Sequence, residues 1–248
     1  VNYLFEASVG GGIPIIRPLK QCLAANQISE IYGILNGTTN YILTRMKRAG
    51  LSFEEALEEA KEKGYAEQDP TADIKGYDAG RKIAILSSIA FEGHVPYTGV
   101  YTEGIDDISH IDMLYAEEME YSIKLIARAR KYDNGIFAMV SPMLISNFSP
   151  LADVEDVFNA IMVKGDAIGD VMFYGQGAGK LPTASAVVGD VIDAAKHLNG
   201  TKKEPDGNGT VMNVLSIDDY ESKLFMRLKA KDIDGLRSKA LEVFEGAK

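Results

Sequence analysis

The chain has 248 residues, 46% of them hydrophobic and 25% charged, and a formal net charge of −10. That length buries a real core in one or two domains, and the negative balance disfavours nucleic-acid phosphates and anionic membranes as partners. A single cysteine, Cys22, excludes an intramolecular disulfide framework and any multi-cysteine zinc site.

No apolar run reaches the roughly 18 residues of a membrane span. The start of the chain also lacks a basic segment followed by an apolar one, so a cytoplasmic location is expected. The opening stretch, VNYLFEASVGGGIPII, has no initiator Met and reads as cut from something longer. In it, an extended backbone turns alternate carbonyls the same way. The carbonyls of Val9, Gly11 and Ile13, with the Glu6 carboxylate, are therefore candidate ligands for a hard cation; the same residues also read as a strand entering a core.

ISEIYGIL (28–35) favours a strand. TNYILTRMKRAG (39–50) reads as a helix capped by Thr38 or Thr39 and stopped by Gly50. SFEEALEEAKEKG (52–64) is a second, with Ser52 as N-cap, Glu55 closing a capping box and Gly64 as C-cap. From about Gly76 to Phe91 the apolar density predicts a buried helix, and residues 111–131 read as a long amphipathic one. IFAMVSPMLI, AIMVKGD and AIGDVMFYG favour strands. Ala184, Val187, Val188, Val191, Ile192, Ala195 and Leu198 then recur in steps of three and four, a single helical stripe.

NGTKKEPDGNGT (199–210) has no large apolar group and reads as an exposed linker. Residues 200–248 carry nine basic and nine acidic side chains, so the whole −10 lies in residues 1–199. Past the linker, SKLFMRLKAKD suggests a strand and IDGLRSKALEVFEGAK a turn and helix. The expected fold is α+β, a mixed β-sheet with helices packed mainly on one face, plus a short strand–helix tail.

The chemistry concentrates in GYAEQDPTADIKGYDAGRK (64–82), which holds four carboxylates, one arginine and two lysines. On a helix starting near Gly76, Asp78 and Lys82 share a face at i,i+4. An exposed pair of this kind is worth only a few tenths of a kcal/mol. Here it runs into the apolar IAILSSIA, while Glu67 and Asp73 approach through a loop whose Asp69–Pro70 step stops helix formation. A lysine held among acids at a helix start suits a general acid, and the acids suit an ammonium-bearing ligand. A structural ion-pair cluster remains the other reading.

Two glycine runs, VGGGIPII (9–16) and GQGAGKLPT (175–183), suggest either close approach to a ligand or tight turns. Neither is a dinucleotide fingerprint, because Ile15 and Lys180 stand where G-x-G-x-x-G needs its third glycine. The second fails as a P-loop as well. Gly179 precedes the striped helix, whose first amides could meet a phosphate or ribose. His94, His110 and His197 are scattered without metal or triad spacing, and Ser87–Ser88 lacks a nucleophile elbow and reads as packing.

Four blocks together, EASVGGGIPII (6–16), NGTTNYIL (36–43), GYAEQDPTADIKGYDAGRK (64–82) and GQGAGKLPTASAV (175–187), resemble homoserine dehydrogenase from residue 1 to about 198. The tail resembles the first strand and helix of a regulatory ACT domain. The resemblance implies a catalytic and dimerisation domain over 1–198, a linker over 199–210 and a truncated ACT-like segment over 211–248. It also implies interconversion of L-aspartate 4-semialdehyde and L-homoserine with NAD(P)H, on the route to threonine, methionine and isoleucine.

By the same resemblance Lys82 is the proton donor, and Glu67, Asp73, Asp78 and Tyr65 bind substrate. Gly64 with Gly177 or Gly179 lines the cofactor, and Glu6, Val9, Gly11 and Ile13 hold a structural sodium ion. It further implies a homodimer or homotetramer acting on a small amino acid, with no nucleic-acid or membrane partner. The family's N-terminal G-x-G-x-x-G half and a second lysine are not in these residues, so this polypeptide alone is expected to be inactive. A non-catalytic amino-acid-binding or oligomerisation module is the competing expectation.

Overall fold

The computed structural model describes residues 3–197, 210–229 and 231–244. Its centre is a six-stranded sheet in the order β2-β4-β3-β1-β5-β6. The strands are β1 (Ile28–Ile34), β2 (Tyr101–Thr102), β3 (Tyr121–Tyr132), β4 (Gly135–Ser146), β5 (Phe158–Gly165) and β6 (Gly169–Gln176). All neighbours are antiparallel except the short β2, which runs parallel to β4. The sheet is therefore mixed, as expected.

Alternation along the strands divides the core in two. Ile31, Ala127, Ala129, Val140, Ile161 and Val163 belong to the main cluster, together with Ile42, Leu43, Met46, Ile83 and Leu86. Those partners come from α1 (Gly37–Ala49) and α4 (Tyr77–Ala90), which pack on the sheet. Ile34, Ile126, Ala160 and Met162 form a smaller cluster with Leu151 and Val154. Helices thus lie mainly on one face.

The helices α2 (Phe53–Glu62), α3 (Thr71–Ile74), α5 (His110–Glu118), α6 (Lys180–Lys196) and α7 (Ile233–Val243) complete the set. Helix α2 carries the expected capping box between Ser52 and Glu55. Gly50 ends α1 in the left-handed region, φ 67°. The start of α1 differs from expectation: the N-cap is Asn36, not Thr38 or Thr39, so the helix begins two residues earlier. Ser87 is buried and its hydroxyl donates to the carbonyl of Ile83, a packing role.

The long helix expected over 111–131 is really two elements. Helix α5 ends at Glu118, Glu120 takes φ 63°, and β3 starts at Tyr121. Residues 122–127 are buried on both faces of a central strand, so burial offers no 3.6-residue stripe, and period two holds at Ile123, Leu125, Ala127 and Ala129. The striped helix forms as α6, yet Val187, Val188, Val191 and Ile192 remain about half exposed; Leu198 lies outside the described residues.

Most of the linker expected over 199–210 also lies outside the described residues. The chain beyond it docks on the sheet. Val211 bridges to His94 and Val214 to Ile136, and Tyr220 stacks on Phe137 with ring centroids 3.9 Å apart. The strand expected over 222–232 is absent from the described part, where 221–229 run without regular pairing. One clasp holds this stretch: the Arg227 guanidinium donates to both carboxylate oxygens of Asp112 at 2.6 and 3.2 Å. The expected terminal helix is present as α7, with residues 245–248 outside the described set.

Candidate active site

The β1–α1 turn and the start of α4 meet through Leu35, Asn36, Asp78 and Lys82. Asn36 is extended, φ −131° and ψ 117°, and its Oδ1 accepts from the Thr39 amide at 2.9 Å and the Thr39 hydroxyl at 3.0 Å. That is an N-cap. With Oδ1 so engaged, its Nδ2 is left to face two acids, donating to Asp73 Oδ1 at 2.7 Å and Asp78 Oδ2 at 2.9 Å.

Asp78 Oδ2 also pairs with Lys82 Nζ at 2.6 Å, one helical turn on. Lys82 Nζ donates a second hydrogen bond, 3.0 Å, to the carbonyl of Leu35. An ammonium has three protons, so one remains for a ligand. The Lys82 and Asp78 side chains are 21% and 29% exposed, which leaves the group open on one side. Asp78 Oδ1 and Asp73 Oδ2 accept no hydrogen bond from the described residues, leaving one oxygen of each carboxylate for a ligand.

Local backbone chemistry sets this geometry. Asp69 bonds the amide and hydroxyl of Thr71, opening the one-turn α3 that carries Asp73. Gly76 takes φ 76° and turns the chain from α3 into α4. A Cβ there would meet the Val140 side chain at 3.1 Å, so glycine serves both the left-handed backbone and the close packing on β4.

The other expected substrate residues are placed differently. Tyr65 is tied to the first turn of α1, its carbonyl accepting from the Thr38 hydroxyl at 2.7 Å and its ring edge-on to Tyr41. Glu67 is exposed and makes no hydrogen bond or ion pair among the described residues. Geometry therefore joins Asp78 and Lys82 directly, Asp73 to Asp78 through Asn36, Tyr65 through Thr38, and Glu67 not at all.

The glycines expected to line a cofactor also separate. Gly64 follows α2 at φ 72° and has open space where a side chain would go. Gly179 caps α6 at φ 119° in a strand-to-helix turn. Around Gly177 the space is full: a Cβ would fall 2.1 Å from Asn159 Nδ2, and a Cβ at Gly11 would fall 2.2 Å from the Gly177 carbonyl oxygen. The two glycine runs thus press against each other. Asn159, buried and 3.5 Å from where a Gly37 Cβ would stand, links them to the start of α1, and its Oδ1 is buried without a hydrogen-bond partner.

At the expected cation site the Glu6 carboxylate is already committed. It accepts from the amides of Ile15, Ile16 and Arg17 at 2.7–2.8 Å and is 5% exposed. It caps the turn at Pro18–Cys22 instead of facing the carbonyls of Val9, Gly11 and Ile13, and so does not fit as a cation ligand. Among the described residues no group of three or more His, Cys, Asp or Glu could hold a metal.

A sequence profile described as homoserine dehydrogenase matches residues 14–192. The chain belongs to the homoserine dehydrogenase family. The homoserine dehydrogenase of Neisseria gonorrhoeae is 44% identical over 238 residues, which are 93% of this chain and 55% of that one. That of Synechocystis is 44% identical over 247 residues, covering 95% of this chain and 57% of its own. A crystal structure of a homoserine dehydrogenase from Thiobacillus denitrificans superposes with a TM-score of 0.82 at 44% identity, covering 86% of this chain and 51% of that chain. A hyperthermophilic archaeal homoserine dehydrogenase in complex with NADPH gives 0.65 at 32% identity, over 78% and 55%. The chain spans about half the length of the curated family members it matches.

Asn36 is the residue that spacing arguments missed. Its signal was present in NGTTN, where asparagine is a preferred N-cap and Thr39 stands at the third helical position. Nothing in the local pattern marks its amide protons as bound to acids 37 and 42 residues away.

Proposed function

We propose that this chain is the substrate-binding and catalytic part of a homoserine dehydrogenase, interconverting L-aspartate 4-semialdehyde and L-homoserine. The observation that carries the reading is the Lys82–Asp78–Asn36–Asp73 cluster, within a chain that belongs to the family. Lys82 keeps one proton free of intramolecular bonds and donates it to the aldehyde oxygen as that oxygen gains negative charge. In the reverse direction the same amine withdraws the hydroxyl proton.

Asp78 pairs with the Lys82 ammonium and holds it in place. The remaining oxygens of Asp73 and Asp78 receive the substrate's α-ammonium, with Glu67 as an outer acid on the 64–70 loop and Tyr65 closing the side tied to α1. NAD(P)H, when bound, supplies the hydride. Gly64, with open space beside it, fits a cofactor-lining position; Gly179 presents the first amides of α6. Gly177 fits less well, since Asn159 fills the space next to it.

A structural sodium ion would be held by the carbonyls of Val9, Gly11 and Ile13, without the Glu6 carboxylate. A homodimer or homotetramer is the assembly we propose, and the 211–248 segment is proposed as ACT-like.

The test is a substrate panel in a protein carrying this chain together with a dinucleotide-binding domain. NADPH consumption with L-aspartate 4-semialdehyde should exceed that with succinate semialdehyde, which lacks the amino group, by about 100-fold or more in kcat/KM. Equal rates would remove the ammonium seat and with it this assignment.

A further inference from the structure

We infer that Asn36 is a positioning residue that sets specificity for an amino-bearing substrate, by bridging Asp73 and Asp78 with a neutral donor. The inference rests on the substrate reading above and goes beyond it. Two carboxylates facing one ligand repel each other, and proteins commonly resolve that with a cation or a shared proton. A cation placed between them would cancel the charge that an ammonium needs.

The Asn36 carboxamide avoids both. Its orientation is fixed, because Oδ1 takes the Thr39 amide and hydroxyl. The flipped rotamer would place an N–H group against the Thr39 amide donor and a carbonyl oxygen against two acids. Nδ2 therefore spends its two protons on Asp73 Oδ1 and Asp78 Oδ2. Each acid is held by a hydrogen bond from a neutral donor, and each retains an oxygen with no bond from the described residues. Lys82 pairs with the same Asp78 oxygen, Oδ2, that accepts from Asn36, and leaves Asp73 without a cation. The same side chain caps α1, so the acids are registered against the helix start and the Leu35 carbonyl that also receives Lys82.

Two measurements on a protein carrying this chain together with a dinucleotide-binding domain test this, and they fail separately. In the first, the two Asn36 side-chain amide protons are followed by NMR. Asp73→Asn should move one of them and Asp78→Asn the other; if neither substitution moves either proton, the bridge is refuted.

In the second, L-homoserine and 4-hydroxybutanoate, the same molecule without its amino group, are titrated into the wild-type protein and Asn36→Ser. Serine keeps a good N-cap but is too short to reach both acids. Asn36→Ser should weaken L-homoserine binding about tenfold or more, the scale of one charge-assisted hydrogen bond, and leave 4-hydroxybutanoate within about twofold. Equal weakening of both ligands would make Asn36 a structural cap and overturn the specificity role. If the wild-type protein shows the bridge in the first measurement but binds L-homoserine no better than 4-hydroxybutanoate, the ammonium seat and the substrate reading fall together.

Discussion

At the scale of single residues, the site is a problem in placing charge. Asp78 serves both Lys82 and, by our reading, the substrate ammonium, so its isosteric amide variant should damage binding first. Asp78→Asn is expected to raise KM for L-aspartate 4-semialdehyde about tenfold or more while lowering kcat as well, which steady-state kinetics would separate.

Lys124 shows the opposite situation, a cation that burial penalises. It is 3% exposed on β3, donating to the Val154 carbonyl at 2.5 Å, and desolvation pushes its ammonium down to about 8, with Glu155 pulling the other way. Below that value the residue is charged in folded and unfolded chains alike, and the burial penalty is fully present. Between about 8 and the ordinary lysine value near 10.4, the unfolded chain binds the extra proton, so stability rises with pH. Lys124→Met should flatten that rise and stabilise the protein at pH 7, and denaturant melts across pH 7–10 would show it. A wild-type profile that falls over this interval would contradict the assignment.

The sequence displayed Asp78 and Lys82 because i,i+4 spacing is a property of one helix. It did not display Asn36, whose acids arrive from α3 and α4 only once the chain has folded. Glu67 was legible as an acid but not as an exposed one.

At the scale of elements, caps and turns were the readable part. Ser52 and Glu55 encode the start of α2 locally, and Ser52→Ala should cost about 1 kcal/mol in a denaturant melt. β1, β4, β5 and β6 announced themselves as short β-rich runs, whereas β3 did not. Its buried residues face both sides of the sheet, and the apolar residues of α5 just before it lent it a helical rhythm. Likewise the α6 stripe was read correctly as a helix, although apolar periodicity says nothing about whether anything covers it here.

The glycine runs carried the least local information. What explains Gly177 is Asn159, eighteen positions away, together with Gly11 from the other end of the chain. Gly177→Ala should therefore cost about 1–3 kcal/mol by overpacking a buried site. The same change at Gly64, where there is room, should cost only the strain of its positive φ, about 1–2 kcal/mol. Comparing the two denaturation midpoints checks that ordering.

At the scale of the whole molecule, the sheet is a platform whose helical face carries the candidate site. Helices α1 and α4 both pack on it, and the cap of α1 meets the first turn of α4 through the Asn36–Asp78 hydrogen bond. The chain after residue 210 returns to the same sheet through Val214 and Tyr220, Val211 bridges to His94 beyond α4, and Arg227 clasps α5. The α+β class was legible from interleaved helix and strand patterns. The docking of 210–220 was not, because two isolated bridges and one stacked ring leave no periodic mark in a sequence.

The central claim is that Lys82 delivers the proton. The direct measurement is kcat and KM for L-aspartate 4-semialdehyde in Lys82→Ala, within a protein that also carries a dinucleotide-binding domain. Loss of a general acid predicts a fall in kcat of about 100- to 10,000-fold with KM within about threefold. A kcat equal to that of the unaltered protein would contradict the account.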